Sequence, residues 1–509
     1  MTELPKRRYI NFRFFPLFLL SVCIGSLVAS LVFDKRFYDY YVLGIGVAIG
    51  VVIALAKGKK AMISLVCIFA LLMTYVVAVG NIEKEIRAPK EATGERVTVR
   101  VEHVLQDAVY VGVVDGIDGL TGLCEFDVTD FYDYPLCVGN QLVLGGVKVV
   151  KLQPLNADGS VNTFYFNSKT KYVLTATELL DYSEGNPDLI EIIRNSLHSA
   201  CDKLPEDIKG VTYALLTGDK YAIDDSVYDG YKVSGVAHVL AVSGMHVGFL
   251  VLFLEWLLKK LKLKRKHRII VNIPVMLFLS ALCDFTPSVV RACIMCTVHL
   301  LIPVVTKRRY DIVSSMSLSG SIIVILNPMA VFSYGFLLSF ASVGGIVLFS
   351  RKFTNMCSFV PKRIRDTVAI SLSATLGVLP LSVYLFGEFS LLSLLTNVLI
   401  LPILSVAYGF LVACAGIAVI FPPFSFLLVA GGSVGYYLNL VTGIIASVDI
   451  ASVAMSAPLW FIVFYYVFVI LLSDFVNFSR TVKRLILLSF CILVCAYFCF
   501  FCNFSPQIY

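Results

Sequence analysis

Apolar runs recur along this sequence, and each is long enough to cross a lipid bilayer. Counting runs of ~17–25 apolar residues gives about thirteen. They fall near 14–33, 41–56, 61–80, 237–258, 268–283, 288–305, 312–326, 331–350, 366–386, 394–420, 424–447, 458–473 and 485–503. Hydrocarbon offers no partner to a backbone amide, so runs of this kind predict a polytopic α-helical membrane protein. Composition agrees, since 58% of the 509 residues are hydrophobic and only 15% are charged, too much apolar surface for a soluble fold to hide. The first run follows Lys6, Arg7, Arg8 and Arg13. It is long enough to span and reads as an uncleaved helix rather than a leader. Pro402 interrupts the run from Leu391 to Ile420, which admits a re-entrant half-helix followed by a full span.

Basic clusters lie at 6–13, at Lys57, Lys59 and Lys60, at 259–268 (KKLKLKRKHR), at 306–309, at 351–365 and at 480–484. With thirteen alternating spans, all of them fall on one face. The positive-inside rule makes that face the cytoplasm. The N-terminus is then inside, and residues 81–236 are extracytoplasmic.

Residues 81–236 form the long polar stretch. "ERVTVRVEHVL", "DAVYVGVV", "QLVLGGVKVVKL" and "KYVLTATEL" alternate in the manner of strands, with turns at "DGIDG" and "NADGS" between them. Five or six short strands predict a small barrel or sandwich, an oligonucleotide-binding-type barrel among the options. The segment from about 188 to 236 has helical apolar spacing and suits the membrane surface. Residues 81–190 hold 17 acidic and 9 basic side chains, and 191–236 hold 8 and 5. A module that grips phosphate unaided is expected to be basic, so this acidic region reads first as a solvated face. Cys124 and Cys137 are candidates for a disulfide in an oxidising compartment, a pairing that spacing alone leaves open.

Polar groups inside apolar runs mark the candidate site. "HVLAVSGMHVGFL" carries His238, Ser243, Gly244 and His246. In a continuous helix the two histidines lie ~12 Å apart, too far to share a metal ion. A metal pair would need the helix to break at Ser243-Gly244. Ser243 and His246 are near enough to hydrogen-bond, but no nearby carboxylate completes a nucleophile–base set. A polar, glycine-notched helix facing other helices or a water-filled path is the better reading. "DFTPSVVRACIMCTVH" places Asp284 and Arg291 two turns apart on one expected helical face, with Ser288 as a cap. An isolated charge at mid-membrane costs ~2.5–3.5 kcal/mol on the insertion scale, so Arg291 there is expected to be paired or functional. Cys293-x-x-Cys296-x-x-His299 imitates a zinc pattern, but its three groups point to different helix faces, so no metal or other cofactor is expected. Glu388 sits at a membrane edge and Asn397 at depth. The sequence has no phosphate-binding G-x-x-x-x-G-K-[ST] loop and no H-E-x-x-H pair, so no enzymatic activity is expected.

"ALLTGDK", "SGVAHVLAVSGMHVGFL", "TPSVVRACIM", "NPMAVFSYGFLLSF" and "LPLSVYLFGEFSLLSLLTNVLILP" occur in the order and spacing of the ComEC competence proteins, and the chain resembles that family over most of its length. The resemblance implies an inner-membrane channel that imports single-stranded DNA during natural transformation. It implies an oligonucleotide-binding-like outer domain ending at "NADGSVNTFYFNSKTKYVLTATEL". Residue by residue it points to Asp219 at the outer mouth, and to His238, Ser243, Gly244, His246, Asp284, Ser288, Arg291, Glu388 and Asn397 in a polar core. Leu338 stands where the family usually has glutamine. Many members carry a C-terminal metallo-β-lactamase-like domain, and this chain is expected to be a form without one.

The expected organisation is three membrane helices in 1–80, an outer β domain in 81–187, interfacial helices in 188–236, a channel core in 237–503 and a short tail in 504–509. Expected partners are single-stranded DNA, the bilayer, an extracytoplasmic DNA receptor, a cytoplasmic DNA translocase and a second copy of the chain in a homodimer. The rival readings are a secondary transporter or exporter of another anionic or small substrate, and an intramembrane hydrolase using Ser243 or the histidines.

Overall fold

The computed structural model describes residues 14–32 and 59–472, apart from 105–107, 118–119, 121, 128–138, 156–160, 163–164, 167–169, 184–187, 221–222, 306–310, 359–360, 449–450 and 455–457. Helices α1 (Phe14–Val32) and α2 (Lys59–Arg87) pack together, and α2 leads directly into strand β1 (Glu91–Val104). Strands β2 (Ala108–Asp115), β3 (Leu123–Asp127), β4 (Gln141–Lys151), β5 (Thr170–Thr175) and β6 (Glu178–Ser183) follow. The order β1-β2-β3-β5-β4, with β4 returning to β1, closes a five-stranded barrel, and β6 extends it from β4. β3 and β5 run parallel, while the other pairs are antiparallel.

Alternation builds this barrel. Val97, Val99, Val101, Val109, Val111, Phe126 and Leu174 fill its interior. In "QLVLGGVKVVK" the alternation changes phase at the glycine pair, where Gly146 takes φ +58°. Leu142 and Leu144 before the pair, and Val147 and Val149 after it, are therefore all buried. A residue with Cβ would be strained there, and at Gly146 it would also strike the Thr177 side chain.

Beyond the barrel the chain is helical: α3 (Leu189–Cys201), α4 (Glu206–Thr217), α5 (Asp225–Val233), α6 (Ala237–Leu240), α7 (Gly244–Lys260), α8 (Arg265–Leu282), α9 (Pro287–Val305) and α10 (Ile312–Leu326). A 3-10 turn at Pro328–Phe332 precedes α11 (Tyr334–Met356), α12 (Lys362–Phe386), α13 (Ser393–Ile420), α14 (Leu427–Ala446) and α15 (Leu459–Leu472). Two short strands, β7 (Glu388–Ser390) and β8 (Ser452–Ala454), pair across the bundle end.

Among the described residues five helices are long and apolar enough to cross a membrane, at Val66–Arg87, Tyr334–Met356, Ile364–Phe386, Ser393–Ile420 and Pro422–Ala446. Four shorter apolar helices accompany them, at Pro16–Ser30, Pro287–Ile302, Ile312–Leu326 and Phe461–Leu472. Large apolar side chains face outward along these helices, including Leu326, Val406 and Leu440. An apolar exterior of that extent suits lipid rather than water. This is a membrane protein. The expected total of about thirteen spans is not reached within the described residues. The runs at 41–56 and 485–503 lie outside them, and the run at 237–258 is divided in two. Pro402 lies inside α13, which continues through it as one 28-residue helix with no separate half-helix.

Candidate functional site

The division at 237–258 organises the site. α6 ends after one turn, Ala241 is extended, and α7 begins anew at Gly244. Ser243 is the reason. Its side chain accepts from the Met245 N–H (3.3 Å), while His246, at the third helical position, accepts the Ser243 N–H at Nδ1 (3.1 Å). The Ser243 hydroxyl lies 3.2 Å from the same ring nitrogen. This is a reciprocal capping box in which imidazole takes the place usually held by Glu or Gln. The continuous helix assumed for this segment is thereby corrected: Ser-Gly competes with helix continuation by satisfying the free amides of a new N-terminus.

Glycines set the packing before and at the break. Gly218, at φ +84°, ends α4 and lies against Val242, which brings the "TGD" turn and Asp219 alongside. Gly235, at φ +75°, presses on Ser390 and Ser393. On the opposite side Gly244 faces Arg291, and an added Cβ would come 2.5 Å from the guanidinium Nη2. Arg291 is 7% exposed. It is held by Ser339, which accepts from Nε at 2.7 Å, by the Met295 sulfur and by the ring of Phe340. Ser288 donates to the Gly335 carbonyl and ties α9 to α11. His246 is fully buried, with its ring edge-on to Tyr408 of α13 at 4.7 Å between centroids.

His238, Ser243, Gly244, His246 and Arg291 therefore surround one interruption, with Asp219 beside it, while Ser288, one turn before Arg291 on α9, faces α11. Asp284 does not join them. It precedes α9 in a turn at φ +53°, off the helical face it was expected to share with Arg291. Its carboxylate pairs instead with Arg194 of α3 at 2.9 Å. Arg194 also donates to the carbonyls of Ala281 and Leu282, which closes the C-terminus of α8. Pro287 explains the shift, because it starts a helix and leaves the preceding residues outside it. Glu388 lies on β7 at the bundle end, within electrostatic range of Lys232. Asn397 is buried in the first turns of α13, and its Oδ1 has no partner among the described residues. Cys124 is a free, buried thiol in the barrel, and Cys137 lies outside the described residues.

Arg194, Ser339 and Tyr408 complete the setting and were not singled out from sequence. Tyr408 carried a usable signal, a phenol followed by glycine within an apolar run. Its hydroxyl and the His246 Nε2 are buried without a partner among the described residues.

The fold and this site define a polytopic helical membrane protein with an inserted β-barrel and a polar, interrupted helix at the core of its bundle. The chain belongs to the competence protein family, whose model matches residues 215–477. It is 30% identical over 294 residues to ComE operon protein 3 of Bacillus subtilis (strain 168), covering 55% of this chain and 36% of that one. It is 24% identical over 249 residues to Recombination protein 2 of Haemophilus influenzae (strain ATCC 51907 / DSM 11121 / KW20 / Rd), covering 46% and 31%. An uncharacterized protein of Aquifex aeolicus (strain VF5) is 30% identical over 202 residues, covering 39% and 45%. The aligned part is thus less than half the length of each of these curated relatives. No solved structure matches the chain.

Proposed function

We propose that this protein carries single-stranded DNA across the bacterial cytoplasmic membrane during natural transformation, as a channel without enzymatic activity of its own. The observation that carries the reading is membership in the competence protein family over the same residues that build the interrupted helix. A polyanion crossing a bilayer needs hydrogen-bonding or positive groups in place of lipid. A buried arginine beside a helix N-terminus supplies both. The strand order of the outer barrel, that of a five-stranded Greek key, supports the oligonucleotide-binding type expected from sequence. In this reading residues 81–236 are extracytoplasmic and the basic loops receive the strand inside. An outer DNA receptor and a cytoplasmic translocase work with the channel, which acts as a homodimer.

Engagement of Ser243 as a helix cap, with His246 accepting from its backbone, supports a structural role for the pair over a nucleophilic one. Uptake of labelled DNA by a deletion strain, with and without this chain restored, tests the proposal. Restoration of protease-resistant internal DNA is expected. Equal uptake in both strains would leave the transporter reading in its place.

A further inference from the structure

We propose that the α7–α8 hairpin is a binding site for anionic phospholipid, with lysines at its tip taking the phosphate and Trp256 lying against the acyl chains. The inference rests on the membrane reading of the fold and is independent of what the protein transports. Residues 259–268 hold seven lysines and arginines and no acid. Glu255, one turn before them, takes two of the seven, Lys259 at 3.7 Å and Arg268 at 3.4 Å. It also accepts from the Asn272 amide at 3.3 Å, which fastens the base of the hairpin. Lys260, Lys262, Lys264, Arg265 and Lys266 have no carboxylate partner among the described residues, and all of them are exposed.

The turn between the helices is built, not loose. The Lys262 N–H bonds to the Lys259 carbonyl and the Leu263 N–H to the Leu258 carbonyl, a Schellman stop whose left-handed position is usually glycine. Lys262 fills that position here, at φ +58°. Solvation alone gives no account of the apolar side chains set among the cations. Leu261 and Leu263 alternate with the tip lysines and are exposed. On α7, Leu252, Trp256 and Lys260 recur at four-residue spacing and share a face, with Leu252 67% and Trp256 57% exposed. Lys266 and Ile270 repeat the pattern on α8, where Ile270 is exposed. Lys260 Nζ stands 5.2 Å from the centroid of the Trp256 ring. An indole belongs at the headgroup level of a bilayer, and the ammonium beside it then meets the phosphates. Exposed leucines and an indole with cations between them suit a surface that is both apolar and negative. A nucleic-acid strand would match the charge and leave the apolar face in water.

The chain has two tryptophans, so Trp460→Phe leaves Trp256 as its one indole reporter. The full chain with that change is reconstituted in phosphatidylcholine bilayers. These contain either acyl-brominated phosphatidylglycerol or, at equal mole fraction, acyl-brominated phosphatidylcholine. Quenching about fivefold stronger by the anionic lipid is expected at low salt, falling toward equality at high salt. Lys260→Gln, Lys262→Gln and Lys266→Gln together are expected to abolish the preference and to keep the quenching by phosphatidylcholine. Equal quenching by the two lipids with the lysines intact would overturn the proposal and leave them as topology signals. So would a preference that survives the triple replacement, or no quenching by either lipid. Displacement of the anionic lipid by a single-stranded oligonucleotide would assign the tip to nucleic acid and overturn it too. Should the triple variant fail to insert, the salt series decides, and a preference that high salt leaves unchanged counts against the proposal.

Discussion

At the scale of the residue, conformation and partner matter more than polarity. Gly235 shows this. Its φ of +75° belongs to the left-handed region, and a Cβ there would come within 2.6–2.7 Å of Ser393 and Ser390. Gly235→Ala is expected to cost about 1–2 kcal/mol for the backbone alone, more with the contact. A lowered unfolding midpoint in detergent checks this, and an unchanged midpoint would contradict it. The sequence located the polar residues of the break but not all their roles. The three-residue spacing of Ser243 and His246 implied a hydrogen bond, which exists as a cap. The spacing of Asp284 and Arg291 implied a shared face, which Pro287 abolishes. Arg194, the partner Asp284 does have, comes from an element far away in sequence, where no periodicity could reveal it.

At the scale of the element, local pattern was readable wherever one periodicity ran uninterrupted. The alternating valines of β1 and β2 announced strands. Closure of the barrel through β4 and β1 depends on pairings that alternation does not encode. Helix existence was legible from apolar runs, yet the break at Ser243 was not, because the flanking residues are as apolar as a span. Helix contact is set by still smaller features. α11 and α12 touch backbone to backbone: a Cβ on Gly345 would lie 2.2 Å from the Ser373 carbonyl oxygen, and one on Gly377 2.3 Å from that of Ala341. The neighbouring Gly344 meets nothing within 4 Å. Gly345→Val is therefore expected to separate the pair at a cost of at least ~1–3 kcal/mol, whereas Gly344→Ala is expected to be neutral. Yield and thermal stability of the two purified variants check the contrast; equal behaviour would refute the contact.

At the scale of the whole molecule, the outer domain meets α1 and α2 through an apolar cluster that includes Ile82, Ile86, Leu155, Val161 and Phe166, and through charge. Arg100 of β1 pairs with Glu191 of α3 at 2.7 Å. At the end of α2, Glu85 pairs with Lys151 at 3.6 Å and accepts from the Tyr165 hydroxyl at 2.7 Å. Lys171 is buried beside them, bonded to the Tyr165 carbonyl, with its ammonium 4.1 Å from the Tyr165 ring centroid. Burial pushes Lys171 down to about 8 from its ordinary value of 10.5, against the pull of Glu85. The unfolded chain then binds more protons than the folded one between those values. Stability of the joint is expected to rise with pH from about 8 toward 10.5, by up to ~3 kcal/mol, and to be lower and flat below that window. Hydrogen exchange of β5 in the full chain reads it, and Lys171→Met is expected to remove the slope. A slope that persists in Lys171→Met would exclude this lysine as its source. The acidic balance of the outer region read as a solvated face, and the joint was not legible because its individual pairs unite residues from separate elements.

The central claim, that the polar interruption is part of a DNA path, is tested most directly at Arg291. The measurement is labelled-DNA uptake in cells carrying Arg291→Ala, with protein level and membrane topology verified in the same cells. Loss of uptake with normal assembly is the predicted result. Normal uptake would contradict it, leaving Arg291 as a packing residue held by Ser339, Met295 and Phe340.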